Sequence, residues 1–91
     1  MHPDLEALRR EIDAIDAKIL QLIAARVRVV LKVGDLKRTL GATIYDPERE
    51  RQMLERLSDH VEPPLDRDTV KRIFERLIDE SRRIEQRHVS E

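Results

Sequence analysis

The chain has 91 residues, no cysteine, a charged fraction of 41% and an aromatic fraction of 2%. This composition suits solvated helices in one small domain, residues 1–91, and excludes a disulfide framework, a β-sandwich or a β-barrel. The net charge of −1, without a one-sided basic patch, argues against nucleic-acid binding. No stretch approaches the ~20 apolar residues of a membrane span, and the N-terminus does not resemble a signal peptide. We therefore expect a cytoplasmic protein that binds neither membrane nor nucleic acid.

The first predicted helix is very long. Pro3 and Asp4 suit a first helical turn, and Gly41 suits the residue that ends the helix. Between them, apolar residues alternate steps of three and four, which is the pattern of a coiled-coil seam. They are Leu5, Leu8, Ile12, Ile15, Ile19, Leu22, Val29, Val33, Leu36 and Leu40. Gly34 lies inside this run and costs ~1 kcal/mol relative to alanine, but we do not expect it to end the helix.

The length of this helix predicts a homodimer. At 1.5 Å per residue it spans roughly 55 Å, whereas a compact globule of this chain length has a radius of gyration of about 12 Å. Two further helices cannot cover the whole apolar stripe, and a chain this short buries too little surface by itself. We expect an all-α, intertwined homodimeric helical bundle with three helices per chain.

Two shorter helices follow in the sequence. Asp46 as the N-cap and Pro47 at the first helical position predict the start of the second helix. It should end near Val61, before two consecutive prolines. Asp66 then caps the third helix. The residues expected on the apolar face of that helix are Val70, Ile73, Phe74, Leu77, Ile78 and Ile84.

Polar residues interrupt the apolar faces of all three helices. Arg26 occupies a seam position of the first helix, and Lys37 projects within ~20° of it on an ideal helix. Glu50 shares the apolar face of the second helix, while Ser81 and Glu85 extend that of the third. Arg26 alone is interpreted more simply as a register-setting residue. Polar residues on three inner faces together indicate a lined cavity inside the bundle.

Arg9 flanks the seam far from this cavity. It lies ~25 Å along the helix from Arg26, so it cannot reach a site there in its own chain. In an antiparallel pairing of two first helices, the partner subunit's Arg9 could arrive at that site. The alternative is a surface arginine that pairs with a nearby acidic residue.

Several stretches of the chain together resemble the all-helical class of chorismate mutases. The resemblance covers nearly the whole chain, and its specificity lies in the combined spacing and not in any single motif. The matching residues are Leu8–Asp16 (LRREIDAID), Ala25 and Arg26, Val33–Lys37 (VGDLK), Tyr45–Arg51 (YDPERER), Ser81 and Glu85. The resemblance implies three helices per chain in an interlocked dimer with two equivalent sites, each receiving an arginine from the partner.

The activity that the resemblance implies is the Claisen rearrangement of chorismate to prephenate, in the shikimate pathway to aromatic amino acids. This reaction needs no cofactor, metal or covalent nucleophile. By matching positions, Arg26 and the partner subunit's Arg9 would bind the two carboxylates of the substrate. Lys37 would contact a carboxylate and the ether oxygen.

The remaining site residues would come from the second and third helices. Glu50, with the backbone at Asp46, would bind the ring hydroxyl, whereas Arg49 and Ser81 would complete the carboxylate pocket. Glu85 stands where many family members have glutamine and some have glutamate. A glutamine amide can always donate a hydrogen bond to the ether oxygen, but Glu85 must be protonated to do so. Burial raises the pKa of a carboxyl group and nearby cations lower it, so the sequence leaves this protonation state open.

Three alternatives stay open from the sequence. A mutase of 4-amino-4-deoxychorismate would use the same fold, because Glu50 and Asp46 could accept hydrogen bonds from an amine as readily as from a hydroxyl. An isochorismate pyruvate lyase would share the basic residues, but such lyases generally lack the motif of residues 46–51. A non-catalytic helical dimerisation or regulatory module predicts an uninterrupted seam, which Arg26 contradicts. Some short relatives are activated by a partner enzyme of the same pathway, and the sequence leaves such a partner open.

Overall fold

Three α-helices make up the chain in the computed structural model, which describes residues 2–90 and the side chains of residues 2–88. They are α1 (Pro3–Leu40), α2 (Pro47–Asp59) and α3 (Arg67–Ser90). No strand lies among the described residues, which confirms the predicted all-α fold with its very long first helix. None of these helices has the length and apolar composition that crossing a bilayer requires. Met1 and Glu91, the ends of the predicted domain, lie outside the described residues.

Both ends of α1 are capped. At the N-terminus, Nδ1 of His2 accepts a hydrogen bond from the backbone N–H of Asp4 at 3.1 Å. At the C-terminus, Gly41 has a φ of 71°, a left-handed conformation that favours glycine. Its N–H donates to the carbonyl of Arg38 at 3.2 Å. Gly34 does not interrupt the helix, as the sequence predicted.

Aspartates begin both shorter helices, as predicted. Oδ1 of Asp46 accepts a hydrogen bond from the N–H of Arg49 at 3.1 Å. Oδ1 of Asp66 accepts one from the N–H of Thr69 at 2.7 Å. Each side chain thereby satisfies an amide that the first helical turn leaves without an intrahelical partner.

The C-terminus of α2 lies close to the predicted position. The helix ends at Asp59, two residues before the expected Val61. Arg67, at the start of α3, donates to the carbonyl of Ser58 at 3.1 Å and to the carboxylate of Asp59 at 2.7 Å. These bonds satisfy the last turn of α2 and turn the chain toward α3. The helix thus ends near Val61 and before the two prolines, as predicted, and the contact with Arg67 comes from another helix.

α3 packs along both α1 and α2. Its buried face carries Val70 and Ile78, each 7% exposed, and also Ser81 and Glu85, which are 3% and 6% exposed. Ile73, also predicted on the apolar face, is 52% exposed in the single chain. Ile73 lies three positions after Val70, at the edge of the face, where neither α1 nor α2 covers it.

The first half of α1 extends away from the other helices. Every residue of this arm, which we define as residues 3–22, is exposed. The radius of gyration is 16.8 Å and the longest dimension is 57 Å, against about 12 Å for the radius of a compact chain of this size. The rest of α1 forms, with α2 and α3, a three-helix junction that we define as residues 23–88. The molecule therefore has two unlike halves, an arm and a junction.

Candidate active site

A cavity of about 310 Å³ lies in the junction, between the second half of α1, the start of α2 and the C-terminal part of α3. Its apolar wall includes Val30, Val33 and Ile78. Seven of the eight predicted site residues line it, namely Arg26, Lys37, Asp46, Arg49, Glu50, Ser81 and Glu85. The three helices thus bring together side chains that are up to 59 positions apart in the sequence.

Arg26 links all three helices at the base of the cavity. Its Nη1 donates to Oγ of Ser81 on α3 at 3.1 Å, and its Nη2 lies 3.5 Å from Sδ of Met53 on α2. The Ser81 hydroxyl in turn donates to the carbonyl of Leu77 at 2.7 Å. Burial, and then the neighbouring charge of Arg49, lower the pKa of the Arg26 guanidinium. An arginine still remains charged in this setting, so the cavity contains a fixed cation.

Lys37 stands on the same side of α1, nearer its C-terminus. The ammonium group is half-buried and donates to the carbonyl of Ile44, in the loop between α1 and α2, at 3.2 Å. Arg49, in the first turn of α2, adds another cation to the cavity lining. Lys37 and Arg49 complete, with Arg26, a cationic wall built from two helices.

Glu85 of α3 is 6% exposed and lies near two cations, Lys37 of α1 and Arg82 of α3. It packs against Gly34, where a β-carbon would lie only 2.8 Å from Oε2 of the carboxyl group. Burial raises the pKa of Glu85, and the charges of Lys37 and Arg82 act in the opposite direction without reversing the rise. The balance that the sequence left open therefore favours the protonated form more than in an ordinary glutamic acid.

Asp46 organises the first turn of α2. Its side chain caps the helix through the N–H of Arg49, and its carbonyl accepts from the N–H of Glu50 at 3.1 Å. These bonds fix the direction in which the side chains of Arg49 and Glu50 project from the helix. Glu50 points across to α3 and pairs with Arg82, whose Nη2 lies 2.7 and 2.9 Å from the two carboxylate oxygens.

Arg82 and Gly34 are site residues that the sequence reasoning missed. Arg82 follows Ile78 by four positions and precedes Glu85 by three, so the helical spacing places all three on one face. A charged residue on the apolar face of α2 needs a partner, and Arg82 satisfies this need for Glu50. Gly34 appeared in the sequence only as a helical glycine within the motif of residues 33–37, because its packing role depends on the close approach of a side chain from α3.

Arg9 is the predicted site residue that the junction does not contain. It lies on the exposed arm, roughly 25 Å along α1 from Arg26 by helix rise. No folding of the straight helix within one chain can bring it to the cavity. Its predicted role in the site of a partner subunit stays a prediction.

Comparisons with known proteins agree with this geometry. A family profile described as chorismate mutase type II matches residues 8–86. The chorismate mutase of Methanocaldococcus jannaschii is 35% identical over 88 residues, which cover 96% of this chain and 89% of that protein. The crystal structure of chorismate mutase from Helicobacter pylori in complex with prephenate superposes with a TM-score of 0.92 at 30% identity. It covers 99% of this chain and 98% of that one.

Other relatives are much longer than this chain. The T-protein of Enterobacter agglomerans is 46% identical over 54 residues, which are 59% of this chain but 14% of the T-protein. The match is to one segment of that protein. Because the profile covers residues 8–86 and two full-length relatives are at least 30% identical, the family predicted from the sequence is confirmed: this chain belongs to the chorismate mutase type II family.

Proposed function

We propose that this chain rearranges chorismate to prephenate in a site formed by Arg26, Lys37 and Glu85. The observation that carries the proposal is the convergence of these three side chains on one cavity of about 310 Å³. A volume near 300 Å³ lies at the small end of ligand pockets, which suits a compact dicarboxylate. The names of the relatives, one of them solved with prephenate, support the same substrate.

The charge of the cavity supports a dianionic substrate. Its lining contains four cationic side chains, Arg26, Lys37, Arg49 and Arg82, and three carboxyl groups, Asp46, Glu50 and Glu85. Before the partner subunit's Arg9 is counted, the lining has one positive charge in excess if Glu85 is ionised and two if it is protonated. This excess attracts the two carboxylates of chorismate. Enclosure by apolar residues strengthens each of these interactions relative to water.

The proposed chemistry is a rearrangement within one molecule. The ether C–O bond breaks while a C–C bond forms between the enolpyruvyl methylene and the ring, and no proton is transferred. Arg26 and the partner subunit's Arg9, each holding one carboxylate, would keep the two ends of the substrate together. Such positioning contributes up to ~7–11 kcal/mol to lowering a barrier in favourable cases.

The ether oxygen gains negative charge as its bond to the ring lengthens. Lys37 and the protonated carboxyl of Glu85 would donate hydrogen bonds to it. Donors fixed in advance around a developing charge stabilise the transition state more than the substrate. Ser81 and Arg49 would hold the carboxylates, while Glu50 and the Asp46 backbone would bind the ring hydroxyl.

The proposal includes a cytoplasmic homodimer in which each chain forms one domain of residues 1–91. The arm supports the dimer, because its apolar residues Leu8, Ile12 and Ile15 are each 56–57% exposed in the single chain. Burying one such side chain stabilises a structure by ~1.5–3 kcal/mol. A second copy would cover this stripe and bring its Arg9 to the cavity.

The test is to incubate the purified protein separately with chorismate, 4-amino-4-deoxychorismate and isochorismate and to identify the products. We expect prephenate from chorismate. Release of pyruvate from isochorismate would identify a lyase, and no turnover of any compound would overturn the proposal. Light scattering after gel filtration should give twice the chain mass of 10.8 kDa.

A further inference from the structure

Arg82 forms the most shielded ion pair in the described part of the chain. Its Nη2 donates to both carboxylate oxygens of Glu50, and the two side chains are 26% and 24% exposed. The other ion pairs involve side chains that are more exposed, such as Arg51 at 55%. An ion pair removed from water is stronger than one at the surface. Arg82 therefore compensates the charge of Glu50 within the cavity lining.

Other contacts fix the position of Arg82. Its guanidinium lies 4.8 Å from the centre of the Tyr45 ring, a cation–π distance. The carboxylate of Asp79 is 3.4 Å away, at the exposed edge. Nε of Arg82 is buried and has no acceptor among the described residues, which costs stability. A side chain held at such a cost, on the cavity wall, points to a role in what the cavity binds.

We infer that Arg82 is a specificity-determining residue that, by pairing with Glu50, makes the site prefer a ring hydroxyl over a ring ammonium group. The inference rests on the proposed function, in which Glu50 binds the ring substituent. The inference predicts which of the two mutase substrates left open by the sequence the site prefers, namely chorismate over its 4-amino analogue. Arg82 acts on the substituent through Glu50 and through its own charge.

The preference follows from the number of acceptor sites and the sign of the charges. A carboxylate has about four acceptor sites, and Arg82 occupies two of those on Glu50. A hydroxyl needs one of the remaining sites and adds no charge. The binding free energy of an ammonium group depends mainly on the net negative charge of the carboxylate, which Arg82 already compensates. The guanidinium group of Arg82 also repels the ammonium group directly.

The rest of the cavity acts in the same direction. Arg26, Lys37 and Arg49 add three further cations to the lining. The amino analogue has a net charge of −1 at neutral pH, where chorismate has −2. Because its net negative charge is smaller, the positive cavity attracts the amino analogue less strongly than chorismate. Its ammonium group must also enter the side of the cavity where Arg82 lies.

The experiment compares kcat/KM for chorismate and 4-amino-4-deoxychorismate in the wild type, Arg82→Leu and Arg82→Lys. We expect the wild type to prefer chorismate at least 100-fold, Arg82→Leu to reduce this ratio at least tenfold through a lower KM for the amino compound, and Arg82→Lys to restore most of it. Arg83→Leu is the matched control, because Arg83 is the next residue but is 65% exposed and pairs with Glu80. Its ratio should equal that of the wild type.

The outcomes separate this inference from the proposed function. An unchanged ratio in Arg82→Leu, or a wild type that prefers the amino compound, would overturn the inference and leave the mutase chemistry standing. A wild type without activity on chorismate would instead overturn the proposed function. Should Arg82→Leu fail to fold by circular dichroism, Arg82→Gln gives the same comparison, since it removes the charge but keeps a polar head.

Discussion

The arm exposes apolar side chains, whereas the junction buries polar ones. In the arm, apolar residues such as Ile12 and Ile19 are 56% and 47% exposed. In the junction, Ser81 and Glu85 are buried and Arg26 is half-buried. Both features are unusual in a monomeric globular protein. Large exposed apolar patches mark interfaces, and buried polar groups need hydrogen-bonding partners. The proposed function accounts for both features, because a second subunit would cover the apolar stripe of the arm and a charged substrate would bind in the junction.

The arm offers the change with the largest expected effect. Ile12→Glu places a charge in the proposed seam of both subunits, and a buried charge without a partner costs several kcal/mol. We expect a monomer by light scattering, a lower melting temperature, and activity below ~10⁻³ of wild type because the second subunit's contribution to each site is lost. Ala17→Glu is the control, since Ala17 lies about 140° around the helix from Ile12. A dimeric, active Ile12→Glu variant would show that the arm is not part of the interface.

The junction offers the next largest effect through its central cation. Arg26→Ala should lower kcat/KM by ~10²–10³-fold, the usual effect of losing one donor that stabilises developing charge. The fold should persist, because Ser81 keeps its hydrogen bond to the Leu77 carbonyl. Arg28→Ala, an exposed arginine two residues on, should be as active as the wild type. Equal activity of the two variants would mean that Arg26 sets only the register of the helices.

A substitution at Gly34 should change the activity of the junction without lowering its stability. A β-carbon there would meet the end of the Glu85 side chain at 2.8 Å, so the carboxyl group must move. Gly34→Ala should reduce kcat/KM by ~10–100-fold through this displacement. Its melting temperature should not fall, because alanine gains ~1 kcal/mol over glycine inside a helix.

Gly41→Ala is the matched control for Gly34→Ala, with the reverse pattern. Gly41 has a φ of 71° and nothing within 4 Å of its would-be β-carbon. Alanine in that left-handed conformation costs ~1–2 kcal/mol, so stability falls while the activity of the folded protein stays. A loss of stability in Gly34→Ala with full activity would show that Glu85 has no place in the reaction.

The smallest effect concerns the proton of Glu85. Burial raises the pKa of this carboxyl group, and only the protonated form can donate to the ether oxygen. Turnover should be highest below that pKa and fall as the pH rises through it. The folded state also keeps this proton to a higher pH than the unfolded chain, so folding stability should fall over the same range.

Glu85→Gln removes both pH dependences, because an amide donates at every pH. At low pH the two proteins should differ by less than about tenfold, the effect of one hydrogen bond. The measurement is kcat against pH for both proteins, with melting temperatures at each pH. Identical profiles would exclude Glu85 as the donor to the ether oxygen.

The sequence predicted those features that depend on local patterns. The starts of α2 and α3 follow from capping by Asp46 and Asp66, and the length of α1 follows from its heptad stripe and Gly41. Five site residues could be proposed because polar side chains interrupt otherwise apolar faces, namely Arg26, Lys37, Glu50, Ser81 and Glu85. The family resemblance added Asp46 and Arg49 and assigned the roles of all seven. All of these signals come from residue types and their spacing along the sequence.

The features that the sequence missed depend on contacts between helices. Arg67 binds the last turn of α2 from the start of α3, and Arg82 of α3 pairs with Glu50 of α2 in the site. The direction of the Glu85 pKa shift required the depth of its burial against Gly34. Periodicity within a helix cannot supply the register between two helices.

In the proposed dimer, each site combines Arg26 of one subunit with Arg9 of the other, and mixing two variants tests this sharing of the site. Arg9→Ala and Arg26→Ala should each keep at most ~10⁻² of wild-type activity alone. In a mixed dimer, one site receives both intact arginines and the other receives neither. If the two variants assort randomly after refolding together, activity should recover to about a quarter of wild type, as the two-fold symmetry of such a dimer requires. No recovery, in mixtures shown by mass to contain mixed dimers, would contradict a site shared between two chains.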